Sequence, residues 1–166
     1  MSLVIRNILQ SDNKRLAEII RTTLIEFKAN KPGTVFFDPT TDNLFDLFKT
    51  VDSPDSNRVY FVAEYNNQII GGCGLFPTSN LPDGCTELVK LYLSPNGRGI
   101  GAARILMEKC FETAKELGYK QIYLESLPEL KTAVGLYLKT GFVPLQKPLG
   151  NSGHFGCNIW MIKDLL

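Results

Sequence analysis

The chain of 166 residues holds one histidine, His154, and one tryptophan, Trp160, and no two of its four cysteines form a CxxC pair. A single histidine excludes any centre that needs two from this chain, the HExxH zinc site among them. Cys73, Cys85, Cys110 and Cys157 each stand in an apolar segment, where cysteine behaves as a small buried hydrophobe. Without metal-ligand spacing, neither zinc nor a structural disulfide is expected, which leaves the cytoplasm as the default compartment. Long apolar runs are missing as well: nothing approaches the roughly 18 residues of a membrane-spanning helix. The start, Met1-Ser2-Leu3-Val4-Ile5-Arg6, lacks the basic head and apolar stretch of a signal peptide, so no membrane association is expected. An excess of one charge is also absent. The 18 Lys and Arg residues face 17 Asp and Glu for a net +1, spread along the chain, which offers nucleic acid no electrostatic target. Repeats, low-complexity tracts and linkers are lacking too.

What remains is an ordinary globular composition, 44% hydrophobic and 21% charged. Its length fits a single domain over residues 1–166. Leu3 to Ile8 reads as a short first strand. Ser11-Asp12 offers an N-cap, and Leu16, Ile19, Ile20, Leu24 and Phe27 recur at helical spacing up to the stop Asn30-Lys31-Pro32-Gly33. A second short helix is expected from Asp42 to Val51, closed by Ser53-Pro54. Two strands, Arg58 to Tyr65 and Gln68 to Phe76, join through Asn66-Asn67. Gly71, Gly72 and Gly74 in the second of them predict a bulge or a close backbone approach. Cys85 to Leu93 reads as a buried strand. Ile100, Ala103, Leu106, Met107, Cys110, Phe111, Ala114 and Leu117 mark a long amphipathic helix closed by Gly118. A strand (Tyr119 to Glu125), a helix (Glu129 to Thr140, stopped by Gly141), a strand (Phe142 to Leu145), a polar loop and a last strand (Cys157 to Ile162) complete the order. That order mixes antiparallel and parallel pairing in one sheet of an α/β fold, with helices on its faces.

Between the third long strand and the amphipathic helix stands Asn96-Gly97-Arg98-Gly99-Ile100-Gly101-Ala102. Glycines allow close backbone approach, a helix start offers unpaired N–H groups and a positive dipole end, and Arg98 adds charge. A pyrophosphate suits this turn. So does a plain tight turn with no ligand. Gly97, Gly99 and Ala102 also satisfy G-x-G-x-x-G/A formally, but a dinucleotide domain places that turn after its first strand, with further βα units beyond. A P-loop is excluded, since no Lys-Ser/Thr follows the glycines.

Two segments carry a family resemblance. Glu87-Leu88-Val89-Lys90-Leu91-Tyr92-Leu93-Ser94-Pro95 followed by Asn96 to Gly101 resembles the cofactor strand and Q/R-x-x-G-x-G/A loop of the GNAT superfamily of acetyl-CoA-dependent N-acetyltransferases. Ala133-Val134-Gly135-Leu136-Tyr137-Leu138-Lys139-Thr140-Gly141-Phe142 resembles its later A-x-x-L-Y-x-K-x-G-F helix, and Gly71-Gly72 is similar to its usual third strand. Residues 58 to 145 are covered well and the ends loosely. There are two departures. Asn96 stands where Gln or Arg is usual, and Leu130 where that helix often has an Asn on the pantetheine arm, a contact therefore not assigned here.

The resemblance implies a mixed, mostly antiparallel sheet of six to seven strands, splayed at the cofactor strand and flanked by about four helices. It implies acetyl-CoA as co-substrate and acetyl transfer to a primary amine of a small molecule or peptide by direct attack in a ternary complex. The pantetheine arm would pair with the main chain of Leu91 to Leu93, Tyr92 included, and the pyrophosphate would lie on the turn Asn96, Gly97, Arg98, Gly99, Ile100, Gly101 and Ala102. A backbone N–H near Leu91 would polarise the acetyl carbonyl. Only about one in a thousand lysine-like amines is neutral near pH 7, so a base is needed. Glu87 is the candidate. On strict alternation it shares a face with Val89, Leu91 and Leu93, an apolar setting that raises a carboxyl pKa. A surface or salt-bridged Glu fits the same position. Tyr137 is the candidate acid for the leaving thiolate, although its helical stripe with Leu130, Ala133 and Val134 also fits plain core.

A CoA-binding module without catalysis is the alternative of the same fold; a nicotinamide enzyme is the third reading. Specificity in this family comes from segments matching residues 28–40 and 146–156, where Phe36, Phe37 and Asp38 either line an amine pocket or pack inward. His154 reads as a solvated loop residue, with substrate contact as the lesser alternative. The apolar end around Trp160 raises a homodimer through a swapped or paired final strand.

Overall fold

Asn66 and Asn67 both take left-handed backbone angles (φ 51° and 63°), the geometry of a two-residue hairpin turn. They join Val59–Tyr65 (β2) to Gln68–Phe76 (β3), the second of which has the expected bounds. The computed structural model describes residues 2–49 and 57–166. Around this hairpin, Leu3–Asn7 (β1), Cys85–Leu93 (β4), Gln121–Ser126 (β5), Val143–Leu145 (β6) and Ile159–Asp164 (β7) complete a seven-stranded sheet in the order β1-β2-β3-β4-β5-β7-β6. All pairings are antiparallel except β4 with β5.

Among the described residues four helices flank the sheet: Asn13–Glu26 (α1), Leu44–Phe48 (α2), Ala102–Glu116 (α3) and Lys131–Lys139 (α4). Period-two alternation along the strands feeds two separate cores. Phe61 and Ala63 of β2 join Leu106, Met107, Cys110 and Ala114 of α3 and Tyr137 of α4 on one face. Tyr60 and Val62 join Leu16, Ile20 and Leu24 of α1 and Leu44 and Phe48 of α2 on the other.

Several bounds differ from the sequence reading. α1 ends at Glu26 rather than at Asn30, because Lys28 turns left-handed (φ 56°). Its start is tied down by Asp12, whose carboxylate accepts from the Leu9 amide at 2.7 Å and from both Arg6 Nη atoms. The second helix begins with a 3-10 turn over Pro39–Asn43. Its expected end at Val51 and the closing Ser53-Pro54 lie outside the described residues. Ile100 and Leu117, expected on the buried stripe of α3, flank the helix and are exposed. The last strand is displaced by two residues to Ile159–Asp164 and lies between β5 and β6, so both of its edges are used by its own chain. A paired final strand therefore finds no open edge on β7. Among the described residues all four cysteines are free thiols, and no helix is long and apolar enough to cross a membrane.

Candidate active site

β4 is where the sheet opens. Its parallel ladder with β5 runs from Cys85↔Gln121 to Glu87↔Tyr123 and then stops. On its other side, Gly72 pairs with Tyr92 and Gly74 with Val89, so Cys73 alone faces both Lys90 and Leu91. This is a β-bulge. Lys90 sits in it with φ 55°, and the Tyr60 hydroxyl donates to its carbonyl at 2.8 Å. The tripled glycines of β3 make room for the arrangement, since a Cβ at Gly72 would lie 2.4 Å from the Tyr60 ring.

The bulge corrects one sequence expectation. Glu87 does not share a face with Leu91 and Leu93. Val89 and Tyr92 pack toward α1 and α2, whereas Leu88, Leu91 and Leu93 pack toward α3 and α4. The extra residue reverses the alternation, as any one-residue slip in a strand must. Glu87 thus belongs with Val89 on the α1/α2 side of the opening.

Three cavities meet there. A groove of about 400 Å³ runs past Leu91, Tyr92, Leu93, Gly97, Arg98, Gly99, Gly101 and Ala102, with Thr23 and Phe27 of α1 and Leu130, Ala133 and Leu136 around α4 opposite. Asn96 and Ile100 are exposed beside it and do not line it. A narrow cleft of about 60 Å³ shares Leu91, Tyr92 and Leu130 with the groove and adds Glu87, Lys90, Glu125 and Tyr137. A third cavity, about 180 Å³, shares Glu87, Val89, Lys90 and His154 with the cleft and adds Asp38, Thr40, Phe76, Thr78, Asn151 and Ser152.

The turn before α3 uses its glycines differently. Gly99 and Gly101 have φ of 76° and 82° and open space where a side chain would go, so backbone conformation selects glycine there. At Gly97 a Cβ would stand 2.8 Å from Ile70 Cβ, so packing against β3 selects it. No side chain caps α3, which leaves its first-turn amides for the groove. Arg98 is not a free charge. Its guanidinium pairs with Glu26 at 2.7 Å, donates twice to the Leu93 carbonyl and stacks 5.2 Å from the Phe27 ring centre.

Glu87 is 4% exposed, and its carboxyl accepts from the Thr78 hydroxyl at 2.6 Å. Burial pushes its pKa up to about 7, with nearby Glu125 adding to the rise and Thr78 and Lys90 opposing it. The Tyr137 ring belongs to the core, edge-on to Phe142 at 5.9 Å, and burial holds its phenol well above the usual range. Its hydroxyl has no hydrogen-bond partner among the described residues, and the residue lines the cleft. His154 Nε2 meets Asp38 Oδ2 at 3.2 Å, which joins the two segments expected to set specificity. Although burial raises the Asp38 pKa, hydrogen bonds from the Thr40 hydroxyl and amide and from His154, together with the nearby Lys90 charge, outweigh it and hold the group below its ordinary value.

Lys90, Thr78, Glu125 and Ser152 escaped the sequence reading. Glu125 accepts from Tyr123 Oη at 2.6 Å and from Ser152 Oγ. For Lys90 the signal available was a second charged residue, beside Glu87, within a largely apolar strand.

A splayed sheet with an uncapped helix start beside the opening is a fold built to hold an extended, phosphate-bearing ligand. The model of the Acetyltransferase (GNAT) family matches residues 18–142, and the chain belongs to that family: it is an acetyltransferase with acetyl-CoA as co-substrate. An uncharacterized N-acetyltransferase, YjgM, of Escherichia coli K12 is 34% identical over 99% of this chain and 96% of its own length. Among solved structures, a GNAT-family acetyltransferase of Staphylococcus aureus superposes with a TM-score of 0.82 over 99% of this chain and 100% of its own, at 20% identity. The PaiA N-acetyltransferase of Thermoplasma acidophilum, solved with coenzyme A, gives 0.76 at 17% identity, over 99% of each chain.

Proposed function

We propose that this chain acetylates the primary amine of a small molecule by direct attack in a ternary complex, with residues 1–166 acting as one domain. The observation that carries the reading is the place of Glu87. It is a buried carboxyl with a pKa of about 7, standing in the wall that the narrow cleft shares with the third cavity. The cleft leads to the long groove, so the groove is the donor side and the third cavity the acceptor side. At about 180 Å³ the acceptor cavity is smaller than the roughly 300–1,000 Å³ typical of drug-sized ligands, which favours a small amine over a peptide. The four free thiols suit the cytoplasm.

In this reading the α3 amides and the Gly99 to Ala102 backbone hold the diphosphate. The edge of β4 left unpaired beyond Glu87 takes the pantetheine arm as an added strand along Leu91 to Leu93. A main-chain N–H at the bulge, near Leu91, polarises the thioester carbonyl. Glu87 takes the first proton from the substrate ammonium, directly or through water, and passes it to solvent. The neutral nitrogen attacks the carbonyl carbon, and the C–N bond forms as the C–S bond breaks. Tyr137 protonates the departing thiolate, and the second nitrogen proton, lost as the amide forms, restores the balance.

Thiol release from acetyl-CoA across a panel of small amines tests this. Turnover on at least one amine is expected, with calorimetric heat for acetyl-CoA alone. Heat without turnover on any amine would leave a binding module in place of the proposed transfer, and no heat at all would remove the donor site.

A further inference from the structure

Lys90 is held twice at a cost. Its backbone occupies the left-handed region (φ 55°), which a side-chain-bearing residue adopts only under constraint. Its ammonium nitrogen is out of contact with solvent and has no hydrogen-bond partner, although an unpaired buried donor is normally expensive. Lys90 lines both the cleft and the acceptor cavity, beside Glu87 and His154. The fold bonds the Lys90 carbonyl to the Tyr60 hydroxyl but gives the ammonium no hydrogen bond in return.

The surrounding acids do not fill that vacancy. Asp38 is taken up by Thr40 and His154, Glu125 by Tyr123 and Ser152, and Glu87 by Thr78. Lys90 is therefore the basic group here whose hydrogen-bonding capacity is unused; burial draws its pKa down while the charges of Asp38 and Glu87 hold it up. A simple alkylamine would bring a second cation against it. An amine that also carries a carboxylate would instead set the carboxylate on Lys90 and the ammonium toward Glu87 and Asp38.

We infer that the acceptor is a small amino acid, a primary amine bearing its own carboxylate, and that Lys90 is the residue that selects it. The inference rests on the acetyl-transfer reading above and names the substrate class for that same site.

The test uses the whole protein, acetyl-CoA and matched pairs: each amino acid against its primary amide and its decarboxylated amine. Wild type should favour the amino acid by about 10- to 100-fold in kcat/KM, the range for a hydrogen bond to a charged group. In Lys90→Met the ratio should collapse toward one, chiefly through a raised KM for the carboxylate-bearing member, and Lys90→Arg should restore part of it. Partners without the carboxylate used as well as amino acids by wild type would overturn the inference without any variant, and so would an unchanged ratio in a folded Lys90→Met. Should no amine be turned over, calorimetry of the CoA-loaded protein decides separately. Amino-acid binding lost in Lys90→Met would keep this inference while removing the acetyl transfer. Absence of binding by any member would overturn it.

Discussion

His154 Nε2 and Asp38 Oδ2 lie 3.2 Å apart across 116 positions of sequence, and both line the cavity that also holds Glu87 and Lys90. The contact fastens the loop before the last strand to the segment after α1. Two stretches with no regular structure become one wall of the acceptor cavity. Exchanging Asp38 for Asn removes the charge and weakens the bond to His154. The expected outcome is a rise in KM for the amine of about 3- to 10-fold, the equivalent of roughly 1 kcal/mol. The calorimetric affinity for acetyl-CoA, whose groove contains neither residue, should move by less than twofold.

Glu87 links activity and stability through pH. As the proposed base it must be ionised, so kcat/KM should climb with pH through about 7. Glu87→Gln should lower kcat by about 100-fold or more and flatten that limb. Its folded pKa, about 7, exceeds the ordinary 4.5, so the folded state holds the proton more tightly. Stability from this group is complete below about 4.5 and is lost as pH rises to 7. The loss is at most ~3 kcal/mol by the pKa difference. Glu87→Gln should therefore melt above wild type at pH 8 and close to it at pH 4.

Tyr137 separates core from chemistry. Tyr137→Phe keeps the edge-on contact with Phe142 and removes only the hydroxyl. The melting temperature should stay within about 2 °C while kcat falls by about 100-fold. Tyr137→Ala should instead cost about 3–5 kcal/mol of stability through the cavity it leaves. An unaltered rate in Tyr137→Phe would make the residue packing alone.

The glycine turn divides in the same manner. Gly97→Ala drives a Cβ to 2.8 Å from Ile70 and should cost about 1–3 kcal/mol with no ligand present. Gly101→Asp meets no neighbour, and aspartate tolerates left-handed backbone better than most residues. That variant should lose about 1–2 kcal/mol to backbone strain yet bind acetyl-CoA about tenfold or more weakly, because a carboxylate then faces the diphosphate. Thermal melts with and without the ligand separate the two effects.

The sequence by itself determined the local pieces. Apolar periodicity in α1 and α3, the Asn66-Asn67 turn, the bounds of β3 and β4 and the glycines before α3 are all written in residue spacing, because backbone preference and burial act over a few neighbours. Glu87 and Tyr137 became candidates through the family resemblance of the runs in which they stand. Tertiary structure decided the rest. The reversal of faces along β4 depends on a bulge that exists only because β3 pairs with β4 out of step by one residue. The insertion of β7 between β5 and β6, the joining of Asp38 to His154 and the burial of the Lys90 ammonium all arise from contacts between distant segments. Such contacts answer to packing and desolvation across the whole sheet, and residue spacing along the chain carries no record of them.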